Sequence, residues 1–179
     1  LLAQAEHGSG MEATICVTTS AELGYEVREQ VRAQLWQLPG SDRMTVALDT
    51  YGAIIIVPDL QSGLDLVNRI APEHVELMVA DPWSCLEGIK NAGAAFLGDA
   101  SPEPVGDYYA GTNHVIPTNG AARYSSSLGV ADFVKTTSVV AYTQQRLDRV
   151  GDSIMRLARA ENLEAHATSV QLRMNGRAS

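Results

Sequence analysis

Residues 53–79 read AIIIVPDLQSGLDLVNRIAPEHVELMV. Ala53-Ile54-Ile55-Ile56-Val57 is a short, unbroken apolar run rich in β-branched residues, the pattern of a buried strand and the clearest one in the chain. Pro58-Asp59 then starts a helix with Leu60, Leu64, Val67 and Ala71 on its inner face, and Pro72 ends it. Val75-Glu76-Leu77-Met78-Val79 follows as another strand. Strand, helix and strand in so short a span is the unit from which parallel sheets with helical crossovers are built.

The same alternation continues outward. Upstream, Ala13 to Thr18 reads as a strand, and Thr19 with Glu22 reads as a capping box. The helix behind it carries Leu23, Val27, Val31, Leu35 and Leu38 on one face until Pro39-Gly40. Arg43 to Leu48 is ambiguous, with a short helix as one reading. Leu1 to His7 is a short helical piece ended by Gly8-Ser9-Gly10. Downstream, Asp81-Pro82 opens a short helix through Ile89, and Gly93 to Gly98 is a further strand. The pattern predicts an α/β layered fold with a mainly parallel sheet over residues 1–125, whose ligands bind beyond the strand ends. Residues 126–142 form a connector. In 143–179 one helix spans Gln144 to Leu163, with Leu147, Val150, Ile154 and Leu157 inward, and a second piece carries Ala165 to Arg173. These follow no obvious strand, so they read as a helical tail suited to packing on a second subunit.

Composition narrows the class. The chain has 179 residues, 45% hydrophobic and 19% charged, which is globular rather than disordered. A net charge of -8 without a Lys/Arg cluster argues against nucleic acid as a partner. No apolar run is long enough for a membrane span. The first residues lack the basic start and apolar centre of a signal peptide. Cys16 and Cys85 have no metal-ligand spacing and read as reduced thiols of a cytoplasmic protein. Leu1 to Ala5 reads like the end of a helix, so the chain is expected to begin mid-protein.

The chemistry concentrates in Glu103 to Thr118, which holds two acids, two tyrosines, an amide and a histidine between glycines and prolines. Gly106 and Gly111 allow sharp turns, and Pro104 and Pro117 disfavour helix at either end, so a rigid loop is expected. An ordinary polar surface loop has the same composition. Of the four histidines, three stand beside acids or amides: Glu6-His7, Glu73-His74 and Asn113-His114. Imidazole is the side chain most ready to move protons near neutral pH and the commonest metal ligand. Gln4 and His7 fall on one helical face, a spacing that suits two metal ligands and equally two solvated side chains. Glu73-His74, between a helix stop and a strand, would offer two bases of different strength if the backbone turns there; a helix-terminal acid beside a half-buried histidine is the alternative. The chain contains no G-x-G-x-x-G fingerprint after a strand, no G-x-S-x-G elbow, no phosphate-binding Walker loop and no C-x-x-C. At this level a site of His, Asp and Gln able to bind a metal is legible, and the reaction is not.

Longer motifs carry a resemblance. Gln4-Ala5-Glu6-His7, Ala71-Pro72-Glu73-His74-Val75-Glu76-Leu77, Gly106-Asp107-Tyr108 and Asn113-His114-Val115-Ile116-Pro117-Thr118 resemble the histidinol dehydrogenases. So do Ala122-Arg123-Tyr124-Ser125-Ser126, Asp132-Phe133-Val134-Lys135 and Glu161-Asn162-Leu163-Glu164-Ala165-His166. The resemblance covers essentially the whole chain, in order, and corresponds to the C-terminal part of that family's chain. It implies an incomplete Rossmann-like domain and a homodimer whose sites are completed by the partner's tail. The implied reaction is the zinc- and NAD-dependent, two-step oxidation of L-histidinol to L-histidine through histidinaldehyde, the end of histidine biosynthesis.

Carried over by position, Gln4, His7 and Asp107 resemble zinc ligands, and His166 resembles a fourth, supplied to the other subunit's site. These ligands also bind substrate, because the zinc holds the imidazole and amino group of histidinol. His74 resembles the general base for the alcohol proton and Glu73 the base that activates water. Tyr108, His114 and Glu161 resemble substrate-binding residues. Glu161 and His166 stand roughly 140° apart on a continuous helix at about 100° per residue, so both reach one site only if the helix breaks, which Asn162 permits. Gly8-Ser9-Gly10 departs from the family's usual Asp after the first histidine and is expected to alter the loop beside His7. The NAD contacts are expected to lie largely in an N-terminal part outside this sequence. Two other readings remain: a related dehydrogenase of another small alcohol, such as a sulfonated propanediol, and a non-catalytic zinc-binding or dimerising fragment.

Overall fold

The computed structural model describes residues 1–175, which form two compact units, Leu1–Asp132 and a second from Phe133 on. The boundary falls inside the expected connector. Residues 176–179 of the expected tail lie outside the described residues.

The first unit is α/β. It runs α1 (Leu2–Ala5), β1 (Ile15–Thr18), α2 (Ala21–Leu35), α3 (Ser41–Tyr51), β2 (Ala53–Ile56), α4 (Leu60–Ile70), β3 (His74–Leu77), α5 (Pro82–Leu86), β4 (Ala94–Leu97) and α6 (Glu103–Tyr108). β1 pairs with β2, and β3 with β4, both in parallel. Among the described residues these are two separate two-stranded sheets rather than one. Ile56 is accordingly 49% exposed, so the run expected to be the clearest buried strand is only half-covered here.

Local chemistry sets the helix ends. Asp59 caps α4 by accepting the Ser62 N–H at 2.7 Å. α2 is capped by Ser20, which accepts the Leu23 N–H at 3.1 Å, and not by Thr19. The inner face of α2 differs too: Leu23 is 48% exposed, while Gly24 is buried against β2. A Cβ on Gly24 would lie 2.8 Å from Ile56 Cδ1, so the helix rests on the sheet through a missing side chain. The ambiguous 43–48 stretch belongs to α3, whose Met44 and Ala47 pack with Ala5 and Leu35. A second cluster joins Leu64 of α4, Val75 and Leu77 of β3, and Cys85 of α5.

Asn68 on α4 fixes the approach to β4. Its amide donates to the Gly88 carbonyl at 2.7 Å, and its Oδ1 accepts the Lys90 and Asn91 N–H groups at 2.7 and 3.1 Å. Asn68→Ala leaves these partly buried backbone groups without partners and is expected to cost about 2 kcal/mol, read by urea denaturation. A cost within experimental error would remove Asn68 as the staple.

In the second unit α7 (Gln144–Ala160) packs on α8 (Glu164–Asn175). The buried residues are Gly151 and Ala167, not the expected Ile154 and Leu157, which are 36% and 68% exposed. A Cβ on Gly151 would meet Met174, so α8 settles on the stripe through Gly151. The break between the helices is the expected one: Asn162 adopts φ 60°. Arg159 closes the turn, its Nε and Nη2 donating to the Glu164 carboxylate at 3.1 Å.

Candidate active site

The site is built where β3 begins. α4 ends at Ala71, which takes the left-handed conformation (φ 54°) and turns the chain. Pro72 and Glu73 follow, and His74 opens β3, held in register by Ala94 N–H donating to the Glu73 carbonyl at 2.8 Å. β4 leads on to α6, which was expected as a loop. Pro104 sits in the first turn of that helix, where its missing N–H costs nothing, and therefore does not break it. Gly106 serves close approach rather than a turn: a Cβ there would stand 2.7 Å from Phe96 Cε1 of β4. The helix puts Glu103 and Asp107 four residues apart on one face. Neither expectation from the sequence singled out Glu103; its spacing from Asp107 was the available signal once the stretch is helical.

Four side chains converge. His74 Nε2 lies 3.8 Å from Glu103 Oε1, with both side chains nearly buried (9% and 13% exposed). The His74 ring stacks over the His114 ring, centroids 6.0 Å apart and planes 10° from parallel. His114 Nδ1 lies 2.8 Å from Asp107 Oδ1. Ligand-capable atoms of His74, Asp107 and His114 all fall within 4.8 Å of one another. Both ring nitrogens of His74, and Oε1 of Glu103, are buried with no hydrogen-bond partner. Buried polar atoms are rarely left so, and two of these, His74 Nε2 and Glu103 Oε1, lie 3.8 Å apart, where one polar ligand can meet both.

Electrostatics follow the same geometry. Burial pushes the His74 imidazole below its ordinary pKa, opposed by the charges of Glu73 and Asp107 and assisted by those of His114 and His7. Burial, then the neighbouring Asp107, pushes the Glu103 carboxyl upward. His74 is thereby held neutral, with a lone pair free to take a proton. The lowered His74 pKa has a sign for stability. The unfolded imidazole takes up a proton as pH falls through 6.5, whereas the folded one resists it. The folded state binds fewer protons in that window, so stability drops below about pH 6.5. Metal-free protein is expected to lose stability between pH 7.5 and 5.5, and His74→Asn to flatten that slope in paired urea titrations. Equal slopes would contradict a buried neutral His74.

The remaining candidates are placed as follows. His7, just past α1, is exposed; its Nδ1 lies 3.2 Å from both the Ala3 and Gln4 carbonyls, which can only accept, so Nδ1 is the donor and Nε2 is turned away from them. This is the arrangement that orients a metal-binding imidazole. Gln4 is half-buried, with no side-chain hydrogen bond among the described residues. The loop after His7 is closed by Glu12, which accepts the Ser9 N–H at 2.7 Å; its pKa is lowered to about 2, chiefly by hydrogen bonding to Ser9. Glu73 is half-buried, and Tyr108 is 86% exposed. Glu161 ends α7 and His166 opens α8, both exposed on the second unit. The imidazole, carboxylate and amide donors of Gln4, His7 and Asp107 suit a borderline divalent cation with a position open to substrate. Among the described residues no helix is long and apolar enough to cross a membrane.

A sequence model described as histidinol dehydrogenase matches residues 1–174. A histidinol dehydrogenase of Bacillus cereus is 49% identical over 173 residues, covering 97% of this chain and 40% of the relative. One from Caldanaerobacter subterraneus is 47% identical with the same coverage. The crystal structure of histidinol dehydrogenase from Elizabethkingia anophelis superimposes with a TM-score of 0.84 at 34% identity, covering 99% of this chain and 41% of that one. The chain thus spans about 40% of the length of the relatives it matches.

Proposed function

We propose, since the chain belongs to the histidinol dehydrogenase family, that it is the C-terminal part of an enzyme that oxidises L-histidinol to L-histidine through histidinaldehyde. The observation that carries the reading is the nearly buried His74 side chain, whose ring nitrogens have no hydrogen-bond partner and whose Nε2 lies 3.8 Å from Glu103. The complete enzyme works in the cytoplasm as a homodimer, each site receiving Glu161 and His166 from the partner's tail.

The side chains divide the work. His74 takes the hydroxyl proton of the alcohol as its C–H bond gives up a hydride, leaving the aldehyde. Glu73 then takes a proton from water as the water oxygen bonds to the aldehyde carbon, and the protonated His74 returns its proton to the carbonyl oxygen, giving the hydrate. The neutral His74 accepts one hydroxyl proton of the hydrate as the second hydride leaves, giving the carboxylic acid, which loses its own proton to become the carboxylate. All three proton abstractions are made by positioned bases. Tyr108, His114 and Glu161 bind the substrate. Gln4, His7, Asp107 and the partner-supplied equivalent of His166 would hold zinc, which orients the imidazole and amino group of histidinol. NAD, bound largely by the rest of the enzyme, is the hydride acceptor.

Histidinol-dependent formation of NADH by the complete enzyme tests the reading, with two NADH expected per histidinol consumed. Turnover of a sulfonated propanediol in place of histidinol would contradict it. The intact Asp107, His114, Glu161 and His166 favour histidinol over that substrate.

A further inference from the structure

The motif Ala122-Arg123-Tyr124 has no part in the chemistry above, yet Arg123 reaches the backbone that carries it. Arg123 ends a single 3-10 turn, Ala121–Arg123. Its Nη1 donates to the Gly120 carbonyl at 2.9 Å. Its Nη2 donates to the carbonyls of Arg69 and of Ile70, the latter at 3.3 Å. Arg69 and Ile70 form the last turn of α4, where carbonyls lack intrahelical partners and a cation is favoured. The next residues are Ala71, Pro72, Glu73 and His74. Arg123 is exposed, and among the described residues no carboxylate pairs with it; its protein partners are backbone carbonyls.

The same segment grips the far side of the dyad. Ser127 Oγ donates to the Gly93 carbonyl at 2.9 Å, and Gly93 N–H donates to the Pro72 carbonyl at 3.0 Å. A Cβ on Gly93 would stand 2.6 Å from the Glu73 carbonyl oxygen and 3.0 Å from that of Pro117, so three backbone segments touch there. Leu128 closes the frame: its N–H donates to the Val115 carbonyl at 2.9 Å, and its carbonyl accepts from the Asn113 amide. Residues 117–128 thus connect the segment bearing Glu73 and His74 to the one bearing His114.

We propose that Arg123 is a positioning residue, whose guanidinium fork holds the end of α4 so that Glu73 and His74 meet the substrate in register. A planar fork can serve three carbonyls at once; a lysine ammonium is a point charge on a flexible stem and does not reproduce the fork. A misplacement of about 1 Å at a reacting group can cost about 100-fold in rate.

The proposal rests on the histidinol reading, and its test has two arms in the complete enzyme. In Arg123→Ala, kcat for histidinol is expected to fall about 10- to 100-fold. KM should stay within about threefold and zinc content should be unchanged. Millimolar guanidinium should restore part of the rate, and Arg123→Lys should lie between the two. In the second arm, hydrogen exchange should quicken at the Gly93 and Ala94 amides, which bond Pro72 and Glu73, and not in β1 and β2. Should Arg123→Ala fail to fold, Arg123→Lys carries both arms. An unchanged kcat, a kcat loss matched by loss of folded protein, or unaltered exchange at Gly93 and Ala94 would overturn the proposal. If the wild type does not oxidise histidinol, the functional reading fails, and the exchange arm still decides whether Arg123 holds the dyad's backbone.

Discussion

His74→Ala in the complete enzyme is expected to lower turnover of histidinol by about 10²- to 10⁴-fold, the usual worth of a positioned general base. Zinc should remain bound, because the proposed role of His74 is that of a base and not of a ligand. The expectation rests on burial. His74 is 9% exposed in its side chain, is held neutral, and presents ring nitrogens with no partner. Glu103, 3.8 Å away, is too far for a hydrogen bond but within ion-pair distance of the ring once it is protonated. Both oxidations should suffer, since the same imidazole serves each, whereas Glu73→Gln should spare the alcohol step and slow the aldehyde step. Steady-state rates with histidinol and with histidinaldehyde separate these outcomes. Wild-type turnover in His74→Ala would end the assignment.

His7→Ala is expected to strip zinc from the enzyme, with a loss of affinity larger than the roughly 10- to 100-fold that changes outside the ligand sphere bring. His114→Ala should keep zinc and raise the KM for histidinol. The contrast matters because the structure groups His74, Asp107 and His114 most tightly, whereas family resemblance assigns zinc to Gln4, His7, Asp107 and His166. Asp107 is common to both sets. Two details favour the second. His7 donates through Nδ1 to the carbonyls of its own helix and keeps Nε2 free, and His74 cannot be both a zinc ligand and the proton acceptor. Metal analysis of the two purified variants decides. Full zinc in His7→Ala, with loss in His114→Ala, would instead make His74, Asp107 and His114 the ligand set.

The parts of the fold that depend on local period were legible. The runs at Ala13–Thr18, Ala53–Val57, Val75–Val79 and Gly93–Gly98 each contain or overlap a strand, and Asp59 caps the expected helix. Asn162 was identified as the break because asparagine tolerates the left-handed conformation it adopts. What failed was reading faces. Leu23 and Leu157 lie outward because Gly24 and Gly151 admit a neighbouring element where no side chain stands. Apolar periodicity cannot register a contact made by an absent Cβ. The same limit hid α6: its glycine and proline look like loop punctuation, although Pro104 occupies a tolerated position and Gly106 seats the helix on Phe96.

The site divides likewise. His74, Asp107 and His114 could be singled out as polar residues in short motifs, but their meeting depends on the pairing of β3 with β4 and on α6 following β4. Glu103 was missed because its neighbour Asp107 is four residues away, a distance that means proximity only in a helix. Arg123 stood in a recognisable motif, but its partners are the carbonyls of Arg69 and Ile70, and backbone acceptors leave no mark in a sequence.

Calorimetric titration of histidinol into the complete enzyme, with zinc bound and with zinc chelated, bears most directly on the claim that this stretch builds a zinc-organised histidinol site. Binding with zinc bound, abolished by chelation and restored when zinc is returned, is the predicted result. Binding of equal strength without zinc, or none by the zinc-loaded enzyme, would contradict it.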